Sequence, residues 1–541
     1  MSPRDPELAI LLKNEGNRLY NNKNYEAADV KYTKALELDD TNATFWANRA
    51  ACRLNMRRFL DTISDGIKAT ELDSGYSKAY ARIATAYDAL GEPWNSTSHW
   101  KKALNSLRKE HLTSAEQNQR GEYEVALASA KRVLKAFEDS NNPESTTGPS
   151  HHGLVYSEEE TKNLPWRLAS EMLPQLTLER NQKSSAWLIT SAYHEFNTGL
   201  DMLNSAFHSG HGNVVRVRLG VGSLLSDAVL KDPRCFHIDD PNFIKNYNNQ
   251  VIAELESSGG RQFYAGPDVI MKEAPERLRR DGWSKLQSAL NVTIRSWIMR
   301  GFIDGSLRDN HTIKMELLSS AVKVIKWGQK EWADVSVSDR GVMFQDSFLR
   351  GVQRLYFEAI IPPHDVEFRV SILKQMFEEA DEVIKSVDSK PLPPYDGPEG
   401  PSWRMAFFDY PKADAYAAKG RYYSELGYVC CVAAEKSILY EKSGEMYVLA
   451  ADCLPEDDEV HALYLTYAMT EGFITSQVQI STMLDVIERI KVVLPKVKKI
   501  WQNSTLAYQG LEKLCNRTIG QETDLRKLVA KGVTKNVPKM S

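Results

Sequence analysis

The chain has 541 residues, 42% of them hydrophobic and 26% charged, which is the ordinary balance of a globular protein with core for roughly three or four domains. Its 68 basic and 72 acidic residues leave a formal charge of −4, and this near-balance argues against nucleic-acid or membrane-surface binding. Six scattered cysteines without a CxxC, a polar stretch at residues 1–7 and no run of eighteen apolar residues predict a reduced, cytoplasmic protein with no membrane span.

From Ala9 the sequence follows a thirty-four-residue period. The first unit, 9–42, carries Gly16, Ala28, Tyr32 and Ala35. The second, 43–76, keeps Trp46, Ala50 and Ala69, and the third, 77–110, keeps Tyr80, Ala84, Tyr87, Trp100 and Ala103. Small residues at repeat positions eight, twenty and twenty-seven let two helices pack closely, while aromatics fill the gaps between them. The pattern resembles the tetratricopeptide repeat. The second unit departs from it at Arg53, where an aromatic residue or Leu belongs, and at Thr62, where a small residue belongs. An array of this kind needs a closing helix over its last apolar face. Thr113 and Glu116 form a capping box at the start of a helix predicted to run to about Phe137.

Five polar residues within this stretch have a regular spacing. Lys13, Asn17, Asn48, Lys78 and Arg82 are separated by four, thirty-one, thirty and four positions. Residues four apart share a helix face, and positions near the repeat length fall on equivalent helices. The five then converge as three cations and two amides, a receptor for carboxylates. The set resembles the two-carboxylate clamp of tetratricopeptide co-chaperones, which hold the C-terminal Glu-Glu-Val-Asp of cytosolic heat-shock chaperones. That resemblance implies that Lys13, Asn17, Asn48 and Lys78 bind the terminal and Asp carboxylates, with Arg82 adding a charged hydrogen bond. The competing reading is an ordinary solvated repeat surface, and Asn48 alone would mean little.

Three regions follow: a repeat domain with its closing helix at 8–138, a flexible Ser/Asn/Pro/Gly/Thr-rich linker at 139–156, and a helical region at 157–541. Helices are predicted at 185–206, 215–230, 241–257, 283–302, 313–332, 345–360, 366–387, 461–475, 481–493 and 500–515, with Asp240 and Pro241 as an N-cap and first-turn pair. Trp283, Trp297, Trp327 and Trp332 are assigned to core, and 391–402 to an exposed Pro/Gly loop. Ser443, Tyr447, Ala450 and Pro455 match a degenerate repeat. Phrases at 184–196, 291–302 and 454–459 resemble a fungal group of tetratricopeptide proteins, a resemblance that brings no activity with it.

Catalytic motifs do not emerge. Asp339-Arg340-Gly341 lacks the Gly-Asp that opens a phosphatase metal motif, Pro363-His364-Asp365 has the wrong order for a J-domain, and Gly220-Val221-Gly222 lacks a third Gly. His208 and His211, with His194 or His237, have no metal-binding frame, and 456–459 is read as an acidic helix start. The expectation is an all-α, non-enzymatic adaptor with no cofactor and no metal. Its partner is the C-terminal peptide of a seventy- or ninety-kilodalton heat-shock chaperone, with a further protein client beyond it. The alternatives are a scaffold for an unrelated acidic peptide and an enzyme whose C-terminal region carries an unrecognised active site.

Overall fold

Gly16 lies so close to the ring of Tyr32 that a Cβ there would come within 2.7 Å of it, which explains the small residue at this repeat position. Close pairs of this kind assemble six helices in order: α1 (Pro6–Asn21), α2 (Tyr25–Leu38), α3 (Ala43–Asn55), α4 (Phe59–Leu72), α5 (Ser77–Ala89) and α6 (Pro93–Ser106). Asp5 caps α1 through the Leu8 N–H with Pro6 in the first turn, Asn24 caps α2, and Asn42 caps α3. A seventh helix, α7 (Ser114–Ser140), packs on α6. Its start is the expected capping box, in which Glu116 N donates to Thr113 Oγ1 at 3.2 Å and Thr113 N donates back to the Glu116 carboxylate at 2.9 Å.

The period also appears in the backbone. Lys23, Arg57 and Gly91, each thirty-four positions from the next, adopt left-handed φ values of 60°, 57° and 67°. The same turn therefore joins the two helices of every repeat. Only the third uses glycine, the residue suited to that conformation.

The computed structural model describes residues 5–107, 112–140, 163–208, 218–238, 240, 242–260, 264–359 and 366–536. Helices account for nearly all of the regular structure there; the β features among the described residues are an isolated bridge between Gln479 and Lys535 and a bridge residue at Ile238. Two compact units emerge, one of Met1–Ser150 with Ser258–Ala333, the other of His151–Ser257 with Asp334–Ser541. Residues 258–333, which the sequence groups with the C-terminal region, thus pack with the repeats. Most of the linker at 139–156 lies outside the described residues.

In the first unit the Pro267–Leu307 and His311–Glu331 helices form an antiparallel pair. The former breaks at Gly282 (φ 76°), so a second helical segment starts at Trp283, where the sequence places it. The pair meets the repeat turns through polar contacts. Asn310 Nδ2 donates to the Leu90 carbonyl at 2.8 Å, and Glu316 accepts the Leu60 N–H at 2.7 Å. Arg300 pairs with Glu92. Trp297 and Trp332 are buried, whereas Trp283 and Trp327 are half-buried and pack edge-on against Trp332.

These contacts account for both departures of the second repeat. Arg53 is 2% exposed and pairs with Asp29 at 2.9 Å, Asp65 at 3.0 Å and Asp268 at 2.5 Å. An aromatic ring at that position would leave these acids without their central cation. Thr62 is fully buried and satisfies its hydroxyl on the Arg58 carbonyl at 2.8 Å.

The second unit is built around a long antiparallel pair, Tyr410–Val429 with Ala433–Asp452. A Cβ on Gly420 would come within 3.0 Å of Tyr447, a close approach of the kind made by Gly16 and Tyr32. Some helix bounds differ from expectation. The predicted 461–475 helix is Glu459–Tyr467 followed by a π turn and a 3-10 turn, in which Gly472 lies against the backbone of Gly444. The predicted 500–515 helix is interrupted, because Ile480–Trp501 ends first and Gly510 takes a φ of 96° before Leu511–Ile519. The 241–257 helix begins at Phe243, with Asp240 accepting the Asn242 N–H at 2.8 Å, and Pro241 lies outside the described residues. The 391–402 loop is fastened by Tyr395, whose hydroxyl donates to Asp409 at 2.8 Å and whose ring lies under Arg404.

Candidate peptide-binding site

The five residues singled out from their spacing sit on α1, α3 and α5, the first helices of the three repeats, and these helices contact one another in order. Asn17 and Asn48 meet directly, with Asn48 Nδ2 donating to Asn17 Oδ1 at 3.2 Å. The Tyr32 hydroxyl donates to the same oxygen at 2.6 Å. The Asn17 amide is thereby oriented, and its NH2 group has no acceptor among the described residues. Arg82 reaches α3 as well, donating from Nη1 to the Ala47 carbonyl at 2.5 Å, one residue before Asn48. Three first helices are thus linked through side chains of the candidate set.

Lys13 and Lys78 each stand one helical turn before a linked residue, Asn17 and Arg82 respectively. Neither has an ion-pair partner among the described residues; Lys13 is half-buried and Lys78 exposed. This differs from Arg49, beside Asn48 in sequence, which donates to Asp65 from Nε at 2.8 Å and from Nη2 at 2.7 Å.

The surroundings favour hydrogen-bond donation. Burial, with smaller effects from Cys52 and Tyr20, holds the Tyr32 hydroxyl protonated far above neutrality. Burial also pushes the Cys52 thiol up to about 12, so it remains a neutral wall residue. The charge of Arg82 opposes these upward shifts at Tyr32 and Cys52, and acts in the same direction on Tyr123 of α7.

Sequence spacing did not reveal the contribution of α7. Tyr123 is 7% exposed and packs on Trp100, with ring centroids 5.4 Å apart. Gln119 donates to the Tyr123 hydroxyl at 2.5 Å and reaches Ser77, next to Lys78, at 3.5 Å. A helix outside the repeat period gives no spacing signal, although the i, i+4 pair Gln119 and Tyr123 was visible as one face.

Of the histidines weighed as metal ligands, two can be placed only in part. His237 is buried and stacked on Trp166 at 4.9 Å, while the His208 side chain and His211 lie outside the described residues. The acidic run at 456–459 does begin a helix. Asp458 accepts the Val460 N–H at 2.8 Å and also pairs with Arg234 at 2.9 Å. No helix among the described residues is long and apolar enough to cross a membrane.

No family model matches the chain. Relatives match over a limited length. The small glutamine-rich tetratricopeptide repeat-containing protein 2 of Saccharomyces cerevisiae is 35% identical over 123 residues, 23% of this chain and 34% of that protein. Heat shock protein STI1 of the same yeast is 32% identical over 113 residues, 20% of this chain and 19% of that protein. The chain therefore spans well under two thirds of these relatives. Among solved structures, the first TPR of Spaghetti (RPAP3) bound to the HSP90 peptide SRMEEVD is 27% identical, covers 24% of this chain and 99% of its own, and has a TM-score of 0.21. In its N-terminal repeats this is a tetratricopeptide-repeat protein, similar to co-chaperones.

Proposed function

We propose that the N-terminal repeats hold the acidic C-terminal tail of a seventy- or ninety-kilodalton heat-shock chaperone, and that the protein acts as a non-enzymatic adaptor. The observation that carries this reading is the chain of contacts from Asn17 through Asn48 and Ala47 to Arg82, with Lys13 and Lys78 left without carboxylate partners among the described residues. In this reading Lys13, Asn17, Asn48 and Lys78 receive the terminal and Asp carboxylates, and Arg82 adds a charged hydrogen bond. Charge-assisted bonds of this kind are the strong ones. The prearranged Asn17 amide reduces the ordering that binding would otherwise require.

Similarity to heat shock protein STI1 supports the choice of ligand class. Affinity is expected on the order of micromolar, about 8 kcal/mol, and weaker as salt screens the cations. The remainder of the chain would bring a client to the chaperone by raising local concentration, with no chemistry of its own.

The test is a titration of a labelled peptide ending in Glu-Glu-Val-Asp against the wild type, Lys13→Ala and Arg82→Glu. Both variants should bind at least tenfold more weakly. Equal binding by all three proteins would remove the assignment, and equal binding of an unrelated acidic peptide would leave only a general scaffold.

A further inference from the structure

The second unit contains a cavity of about 140 Å³ lined by Arg421, Tyr447, Tyr464, Tyr467, Glu358 and Asp414. Arg421 sits at the end of the Asp346–Phe357 helix, with Nη2 donating to the Phe357 carbonyl at 3.0 Å and Nη1 to the Ala359 carbonyl at 3.3 Å. Those bonds cap the helix, and they explain one side of the guanidinium. Nη2 also meets Met376 Sδ at 3.1 Å, and Nε is buried without an acceptor among the described residues. No carboxylate pairs with Arg421 among the described residues, and its charge is felt chiefly beside four tyrosines. Burial lowers its pKa, as expected for a cation without a counter-ion.

The other groups of the cavity sort themselves by their partners. Asp414 is satisfied, accepting from Arg354 Nε at 2.9 Å and from the Tyr464 hydroxyl at 2.5 Å. The Tyr447 and Tyr467 hydroxyls have no hydrogen-bond partner among the described residues, although Tyr447 is only 5% exposed. Here Arg421, which has no ion-pair partner among the described residues, and two phenolic hydroxyls line one cavity with Glu358 and Asp414.

We propose that this cavity binds a compact monocarboxylate whose oxygens accept from Arg421, Tyr447 and Tyr467. At roughly 30 Å³ per water molecule, the space corresponds to about four or five waters, room for an acid of about half a dozen heavy atoms. The tyrosine rings offer flat apolar walls to a short tail. Glu358 and Asp414 line the same cavity, and their charge disfavours a phosphate dianion relative to a singly charged acid. A free acid and the C-terminal residue of a peptide share this chemistry.

The test uses the full chain and calorimetric titration with butyrate, butyramide, inorganic phosphate and an N-acetylated tripeptide with a free C-terminus. Substituting Arg421 would release two helix-end carbonyls and endanger folding, so the informative variant is Tyr447→Phe with Tyr467→Phe, which keeps both rings. Its fold is checked by thermal unfolding. Butyrate or the tripeptide should bind the wild type, and whichever binds identifies the source. Butyramide and phosphate should bind at least tenfold more weakly. The double variant should lose at least tenfold, and Lys13→Ala should lose nothing, which separates this cavity from the repeat site. The proposal is overturned if neither acid binds, if phosphate or butyramide matches the acid, or if the double variant binds like the wild type.

Discussion

In the repeat array, Lys13 and Lys78 have no carboxylate partner among the described residues, whereas in the second unit Arg234 is held by several acids. Arg234 pairs with Asp232 at 2.8 Å and Asp458 at 2.9 Å, approaches Glu459 at 3.5 Å, and lies 3.9 Å over the ring of Trp501. The Tyr410 hydroxyl completes the set by donating to Asp458. A charge with partners inside the fold contributes to holding the fold together, and in the proposed reading the two lysines take a ligand instead. Arg53 belongs to the first kind although it lies within the repeats, because Asp29, Asp65 and Asp268 surround it. Burial pushes the Asp268 carboxyl up, but Arg53, Lys323 and Arg58 together hold it below the usual carboxylate range.

The largest effect should come from breaking the satisfied cluster. Arg234→Met leaves the fully buried Asp232 and Asp458 without their cation. The loss of stability should be about 3–5 kcal/mol, read by urea denaturation. A loss under about 1 kcal/mol would show that the cluster is not what organises this core.

Glu316 gives a pH-dependent test in the first unit. Burial pushes its carboxyl up to about 8, against the smaller opposing effect of the Leu60 N–H. The folded state then holds a proton that the unfolded chain releases near pH 4.3. This contribution is therefore complete below about pH 4.3 and declines as the pH rises towards 8. Glu316→Gln keeps an acceptor for Leu60 and should stabilise the protein by about 2 kcal/mol or more at pH 8.5, with little gain at pH 4.5. Parallel stability curves for variant and wild type across that range would contradict the assignment.

Lys78→Glu sharpens the contrast from the open side. Peptide binding should weaken at least tenfold, about 1.4 kcal/mol, while the unfolding free energy stays within about 0.5 kcal/mol of wild type, as for an exposed residue with no ion-pair partner among the described residues. Loss of stability comparable to the loss of binding would place Lys78 among the structural charges instead. The smallest effect concerns the repeat turns. Lys23→Gly relieves a φ of 60° and should raise stability by less than about 1 kcal/mol. Gly91→Ala should destabilise, because φ is 67° and a Cβ would come within 2.5 Å of Asn310 Nδ2.

What the sequence reveals of this molecule follows from the range of the interactions. The repeats were legible because Gly16 and Tyr32, or Trp100 and the small residues around it, act within one thirty-four-residue unit. The candidate site was legible for the same reason: Lys13 with Asn17, and Lys78 with Arg82, lie one turn apart on helices whose spacing is periodic. Association of residues 258–333 with the repeats was not legible. It depends on pairs such as Arg53 with Asp268 and Leu60 with Glu316, which are 215 and 256 positions apart and follow no period. Arg53 and Thr62 were visible as departures from the repeat, and their cause lay in distant or buried polar partners. The acidic run at 456–459 was correctly placed at a helix start, but its bond to Arg234 spans 224 positions. Helix interruptions at 468–475 and 502–510 were hidden as well, since the tight approach of Gly472 to Gly444 is a tertiary constraint.

The repeat site makes one claim above all, that its open cations recognise a free chain end. Two labelled peptides ending in Glu-Glu-Val-Asp, identical except that one carries a C-terminal carboxylate and the other an amide, test it by fluorescence polarisation against the full chain. The free acid should bind on the order of micromolar, and the amide at least tenfold more weakly. Equal affinity for the two peptides, or no binding of the free acid, would contradict the account.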